Sequence, residues 1–141
     1  EENKITVFEQ TGIFLVPCHH GIIECVSEMK RSGELAKYGL AAVDRLLNIC
    51  GADQAIGLDI ACSSRKTITS SSIGPKAAEL KLQVVVDVFH GFSHERRCQL
   101  QNHPLYLNGL GLEDLKTCER IFASQCLTSL SALRISLIQT L

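Results

Sequence analysis

The segment Leu82–Phe89, LQVVVDVF, constrains the fold most, because its β-branched apolar run predicts a buried strand. Ala55–Cys62, AIGLDIAC, predicts a second short buried strand upstream. Two further runs, Thr11–Cys18 and Gly21–Met29, are bounded by short polar or glycine-containing joints, as paired antiparallel strands are. Between them and Ala55 a helix is predicted over Glu34–Cys50, where Ala36, Leu40, Val43, Leu47 and Cys50 recur at steps of four and three. Gly51 suits its C-terminal cap. The Ser/Thr-rich stretch Ser63–Ile73 reads as a loop, and Pro75–Lys81 as a short helix with proline in its first turn. Ser93 is expected to cap a helix over His94–Gln101. A turn-rich joint over Asn102–Gly111 precedes a helix over Leu112–Ala123, and the tail from Leu127 reads as helical too. This alternation signals an α/β domain around a mixed sheet, with Ala55–Cys62 beside Thr11–Cys18.

Composition narrows the function classes. The 141 residues fit one domain or a piece of a larger one, and 45% of them are apolar, enough for a real core. With 14 basic against 15 acidic residues, no basic stripe announces nucleic acid. Seven cysteines at 18, 25, 50, 62, 98, 118 and 126 are odd in number and irregular in spacing, which argues against a secreted disulfide framework and for reduced thiols in the cytosol or nucleus. The opening Glu1-Glu2-Asn3-Lys4 does not resemble a signal peptide, and since it lacks Met the natural chain is expected to begin earlier. No apolar run approaches about 18 residues, so no membrane-spanning helix is expected.

Asp59 stands inside an apolar run between Leu58 and Ile60. A buried lone carboxylate is costly, so Asp59 either bonds the following loop at a strand end or serves as a metal ligand there. Glu119 falls within the apolar face formed by Leu112, Leu115, Cys118, Phe122 and Cys126, while Glu113, Lys116, Thr117, Arg120 and Ser124 gather opposite. It needs either a buried polar partner or a metal. His94 and Cys98, four apart, can share a zinc ion on one helix face, with His90 and His103 as further candidates. Cys18 and His20 form a second half-site. No four-ligand zinc spacing and no glycine-rich phosphate loop is present.

Several strings together resemble one family. They are EQTGIF from Glu9, CHHG from Cys18, SGELAKY from Ser32, LDIAC from Leu58, FHG from Phe89, HERRCQL from His94 and HPLYLNGLGLEDLKTCER over His103–Arg120. In this order they are similar to the catalytic region of Kyakuja-Dileera-Zisupton (KDZ) transposases of fungal type. The resemblance implies a ribonuclease H-like fold with an Asp-Asp-Glu site that cuts and joins DNA using Mg²⁺ or Mn²⁺. Asp59, in the Asp-Ile-x-Cys string, corresponds to the second acid, and Glu119, in the Cys-Glu-Arg string, to the third.

No segment matching the first strand and its Asp precedes Thr11. The expectation is therefore a partial ribonuclease H-like domain over residues 1–141, a mixed sheet lacking its first strand, and an incomplete, inactive site. Self-association through an open sheet edge along Thr11–Cys18 follows from that expectation. Lys116-Thr117 stands where the family has an acidic residue and glycine, His19 where it has Arg, and Glu95 where it has Asn. After Phe122 the likeness fades. The partner implied is DNA at transposon ends, in the nucleus. The rival readings are a non-enzymatic DNA-binding or interaction module, and a small zinc-stabilised module using His90, His94, Cys98 and His103.

Overall fold

The computed structural model describes residues 9–33, 35–124 and 131–139. Five strands form one mixed sheet in the order β2-β1-β5-β3-β4. Strands β1 (Gln10–Pro17) and β2 (Ile23–Lys30) are an antiparallel hairpin. Its turn closes through Cys18 N–H to the Ile22 carbonyl at 2.8 Å, with Gly21 at φ +86°, where a side chain would be strained. Only Met29 of β2 is buried, and Glu24, Glu28 and Lys30 leave this outer strand charged, which discourages further pairing. Strands β3 (Gln54–Leu58) and β4 (Gln83–Val86) are parallel, with Leu58 opposite Val86.

Side chains alternate across this sheet, and the two faces have different covers. Phe14, Val16, Ile56, Leu58, Val84 and Val86 meet Ala42, Val43, Leu46 and Leu47 of helix α1 (Ala36–Ile49). Val43 and Leu47 of the predicted stripe are buried and Leu40 and Cys50 are half-buried, while Ala36 in the first turn is exposed. Gly51 follows the helix at φ +78°, as its capping role requires. On the opposite face Ala55 and Val85 pack with Leu110 and Leu115, and Leu15 packs with Cys118 and Phe122.

Several sequence expectations are corrected. Ser63–Ile73 is not a loop: α2 spans Ala61–Ser70 and α3 spans Gly74–Glu79. The hydroxyls of Thr67, Thr69 and Ser70 bond carbonyls four residues back, at 3.2, 2.9 and 2.7 Å, so they cease to compete with the helix. Ala61 and Ile68 anchor it in the core. The strand expected through Cys62 stops at Leu58, and the one expected through Phe89 stops at Val86, where Asp87 caps the short helix α4 (Val88–Gly91). Ser93 caps nothing, because α5 runs over Arg96–Asn102 with Glu95 at its start. A 3₁₀ turn at Pro104–Tyr106 lies in the expected joint.

The last helix among the described residues, α6, begins only at Thr117 and runs to Ser124. Leu110 and Leu115 drop onto the sheet before it starts, and Gly109, Gly111 and Leu115 all have positive φ, which a continuing helix forbids. Gly57 makes room for this: a Cβ there would stand 2.9 Å from the Leu115 side chain. Thr117, expected on the polar side, is buried.

The tail is the largest correction, since β5 (Ser131–Gln139) is a strand. It pairs parallel with β1 at Gly12–Leu15 and antiparallel with β3 at Gln54–Leu58. β3 therefore does not adjoin β1, and the edge expected to be open along Thr11–Cys18 is occupied. Two facing strand edges satisfy the backbone groups of β5 on both sides, which a surface helix could not do for β1 and β3. Glu34, Cys126 and the first residues of the expected tail helix lie outside the described residues.

Candidate functional site

Parallel strands end at the same side of a sheet. Asp59 follows Leu58 of β3, and Asp87 follows its register partner Val86 of β4, so two carboxylates emerge together. The turn after β4 brings His90 back over them. The Asp87 carboxylate accepts the His90 backbone N–H at 2.8 Å and lies 2.7 Å from its Nδ1, while Asp59 Oδ1 lies 3.4 Å from the same nitrogen. The ligand atoms of Asp59, Asp87 and His90 all lie within 4.8 Å of one another, an arrangement able to hold a metal ion.

The electrostatics follow from crowding. Burial, then a hydrogen bond with Asp87, pushes the Asp59 carboxyl up to about 6, and the Asp87 and Glu119 charges push the same way. His90 opposes them. Adjacent carboxylates disfavour each other's charge, and a bound cation would relieve that repulsion. Glu119 is half-buried on α6, between Cys118 and Phe122, which face the sheet. Lys116 is not in that helix. Its Nζ lies 5.0 Å from the centre of the Phe89 ring, and Arg120 pairs with Asp114 at 2.7 Å. The Arg120 guanidinium and the Lys116 N–H hold the Asp114 carboxyl below its usual range against the opposing effect of burial.

His94 and Cys98 meet as well, although His94 lies ahead of α5 rather than on it. Cys98 Sγ is 3.4 Å from His94 Nδ1, and Cys62 Sγ from α2 is 3.8 Å from the same atom. Burial pushes the Cys98 thiol up, and neighbouring Cys62 adds to this. The other histidines stand elsewhere. His90 serves the carboxylates, and His103 is buried against Tyr106 and Phe92, its Nδ1 accepting from Leu105. Cys18 Sγ and His20 Nδ1 are 4.0 Å apart, but no third ligand side chain joins them among the described residues.

Sequence reasoning missed Asp87, His90 as its partner, and Cys62. The sequence signal for the first two was the polar Asp87-x-x-His90 spacing at the end of the strongest strand. For Cys62 it was a thiol three residues after Asp59, and neither signal says what lies across the fold.

Fold and site together define an α/β domain with an Asp/His group and a Cys/His group, each able to bind metal. The chain belongs to the Kyakuja-Dileera-Zisupton transposase family, whose model matches residues 1–134. No curated protein matches it, and no solved structure does. Among the described residues no helix is long and apolar enough to cross a membrane.

Proposed function

We propose that the chain is a transposase-derived domain of ribonuclease H-like type, residues 1–141, that binds DNA in the nucleus and carries part of a metal-dependent strand-cleavage and transfer site. One observation carries this reading: Asp59 and Asp87 stand side by side at the carboxyl ends of β3 and β4, with the Glu119 charge acting on Asp59. The donor set fits a hard cation, since carboxylate oxygens suit Mg²⁺ or Mn²⁺ and the crowded charges call for a counter-ion. Asp59, Asp87 and Glu119 would hold it. Divalent ions at such a site make the attacking oxygen nucleophilic and stabilise the leaving oxygen at phosphorus.

The protein's own contribution is to aim the carboxylates. His90 bridges Asp59 and Asp87 and fixes the rotamer of the buried Asp87. Arg96 and Arg97 on α5 are exposed beside His94, and Phe89 and Phe92 are exposed beside His90, which suits phosphate contact and base stacking. Three carboxylates can hold one ion, whereas strand transfer with two ions needs a further ligand, so this set binds metal without efficient turnover. Full activity requires the family's first Asp as well.

The test is Mn²⁺ titration of the chain by electron paramagnetic resonance, together with nicking of supercoiled DNA. Millimolar Mn²⁺ binding that disappears in Asp59→Asn supports the reading. Binding unchanged by Asp59→Asn and Glu119→Gln overturns it. DNA binding with no dependence on Mn²⁺, in this chain and in one extended upstream, favours a non-enzymatic module.

A further inference from the structure

Cys62, His94 and Cys98 come from α2, from the segment ahead of α5 and from α5 itself, yet their Sγ, Nδ1 and Sγ atoms lie within 4.8 Å of one another. Thirty-two residues separate Cys62 from His94, so nothing local brings them together. Two sulfurs and one imidazole are a soft donor set. It suits zinc, whose sites combine thiolate and imidazole, and it suits Mg²⁺ poorly.

The surroundings favour a ligand role over an idle cluster. His94 Nε2 lies 2.9 Å from the backbone carbonyl of Asp59. A carbonyl only accepts, so Nε2 carries the proton and the Nδ1 lone pair faces the two sulfurs. Metal-bound histidines are oriented in this way, by an outer N–H given to a carbonyl or carboxylate. The Asn102 side-chain N–H also points at Cys98 Sγ, at 3.2 Å, and helps to orient that sulfur. Cys62 is exposed, so a metal ion can reach the cluster from solvent.

We propose that Cys62, His94 and Cys98 bind one Zn²⁺ and that the ion, through His94, fixes the backbone of Asp59. Binding releases the two thiol protons and leaves two thiolates and a neutral imidazole on the metal. The role is positional: it ties α2 to α5 and holds the end of β3 where the Asp59 carboxylate must point. The site stands whether or not the carboxylates cleave DNA, since its ligands are a separate set.

The chain is purified under reducing conditions, reconstituted with Zn²⁺ or Co²⁺, and freed of excess metal. One zinc per chain by elemental analysis is expected. The Co²⁺ form should show thiolate-to-metal charge transfer and the strong visible bands of a tetrahedral site. Cys62→Ser alters an exposed residue, so the fold survives it, and affinity should fall at least about tenfold. Cys98→Ser should act alike, whereas Cys25→Ser should retain the metal. Asp59→Asn should retain zinc while losing Mn²⁺, which separates this site from the carboxylate site. Sub-stoichiometric zinc, a Co²⁺ spectrum unchanged by Cys62→Ser, or a chain that holds Cys62 and Cys98 only as a disulfide would each overturn the proposal.

Discussion

The two halves of the sheet use strands differently. The β1–β2 hairpin is antiparallel, so successive strand ends lie at opposite edges, and its turn gathers only the Cys18 and His20 pair. The β3–β4 pair is parallel, so both strands open at one edge and the segments after them must meet. That edge gathers Asp59, Asp87 and His90, and beside them Cys62, His94 and Cys98. Asp59 belongs to both groups, giving its carboxylate to one and its carbonyl to the other. Chemistry concentrates where topology makes distant segments converge.

The sharpest way to break this contrast is by stability. Ile56 in β3 is fully buried, and Ile56→Ala should cost about 2–5 kcal/mol in urea unfolding. Val26 in β2 is 57% exposed, and Val26→Ala should stay within about 0.5 kcal/mol. Equal losses would mean that the outer strand β2 is packed as tightly as β3.

Metal affinity separates the halves next. Asp87→Asn should weaken Mn²⁺ binding by at least about tenfold in isothermal titration, whereas Cys18→Ser and His20→Asn should leave every metal equilibrium unchanged. A loss of binding in the hairpin variants would show a site that the parallel edge does not contain.

A smaller effect sharpens the role of Asp87 as a cap. Asp87→Ala removes the acceptor for the His90 N–H and should cost about 1 kcal/mol, while Asp87→Asn, itself a good cap, should cost less. Equal costs by thermal melting would place the effect in charge and not in the cap.

The smallest effect is on pH dependence, because Asp59 is 44% exposed and water screens it. Its carboxyl is raised from 3.8 to about 6 in the folded chain, so the folded state holds the proton more tightly than the unfolded one. That contribution is complete below about pH 4 and is lost as pH rises through about 6. The metal-free chain should therefore lose a small part of its stability across that window, and Asp59→Asn should flatten it. His90, Asp87 and Glu119 face the same group, so a slope that survives Asp59→Asn would assign the proton to one of them.

Local pattern was enough for much of this protein. The β-branched runs of β1, β2, β3 and β4 and the stripe of Val43 and Leu47 declare themselves within a few residues, because burial on one face imposes a period on the chain. Asp59 and Glu119 stood out for the same reason, as charges in apolar company. What the tertiary structure decided is non-local. The tail became β5 because the edges of β1 and β3 were available on either side of it. Ser63–Ser70 became helical because its hydroxyls turned inward onto its own carbonyls and Ile68 found the core. Asp87 joined Asp59, and Cys62 joined His94, because parallel strands bring their carboxyl ends to one edge across about thirty residues of intervening chain, a proximity that no periodicity encodes.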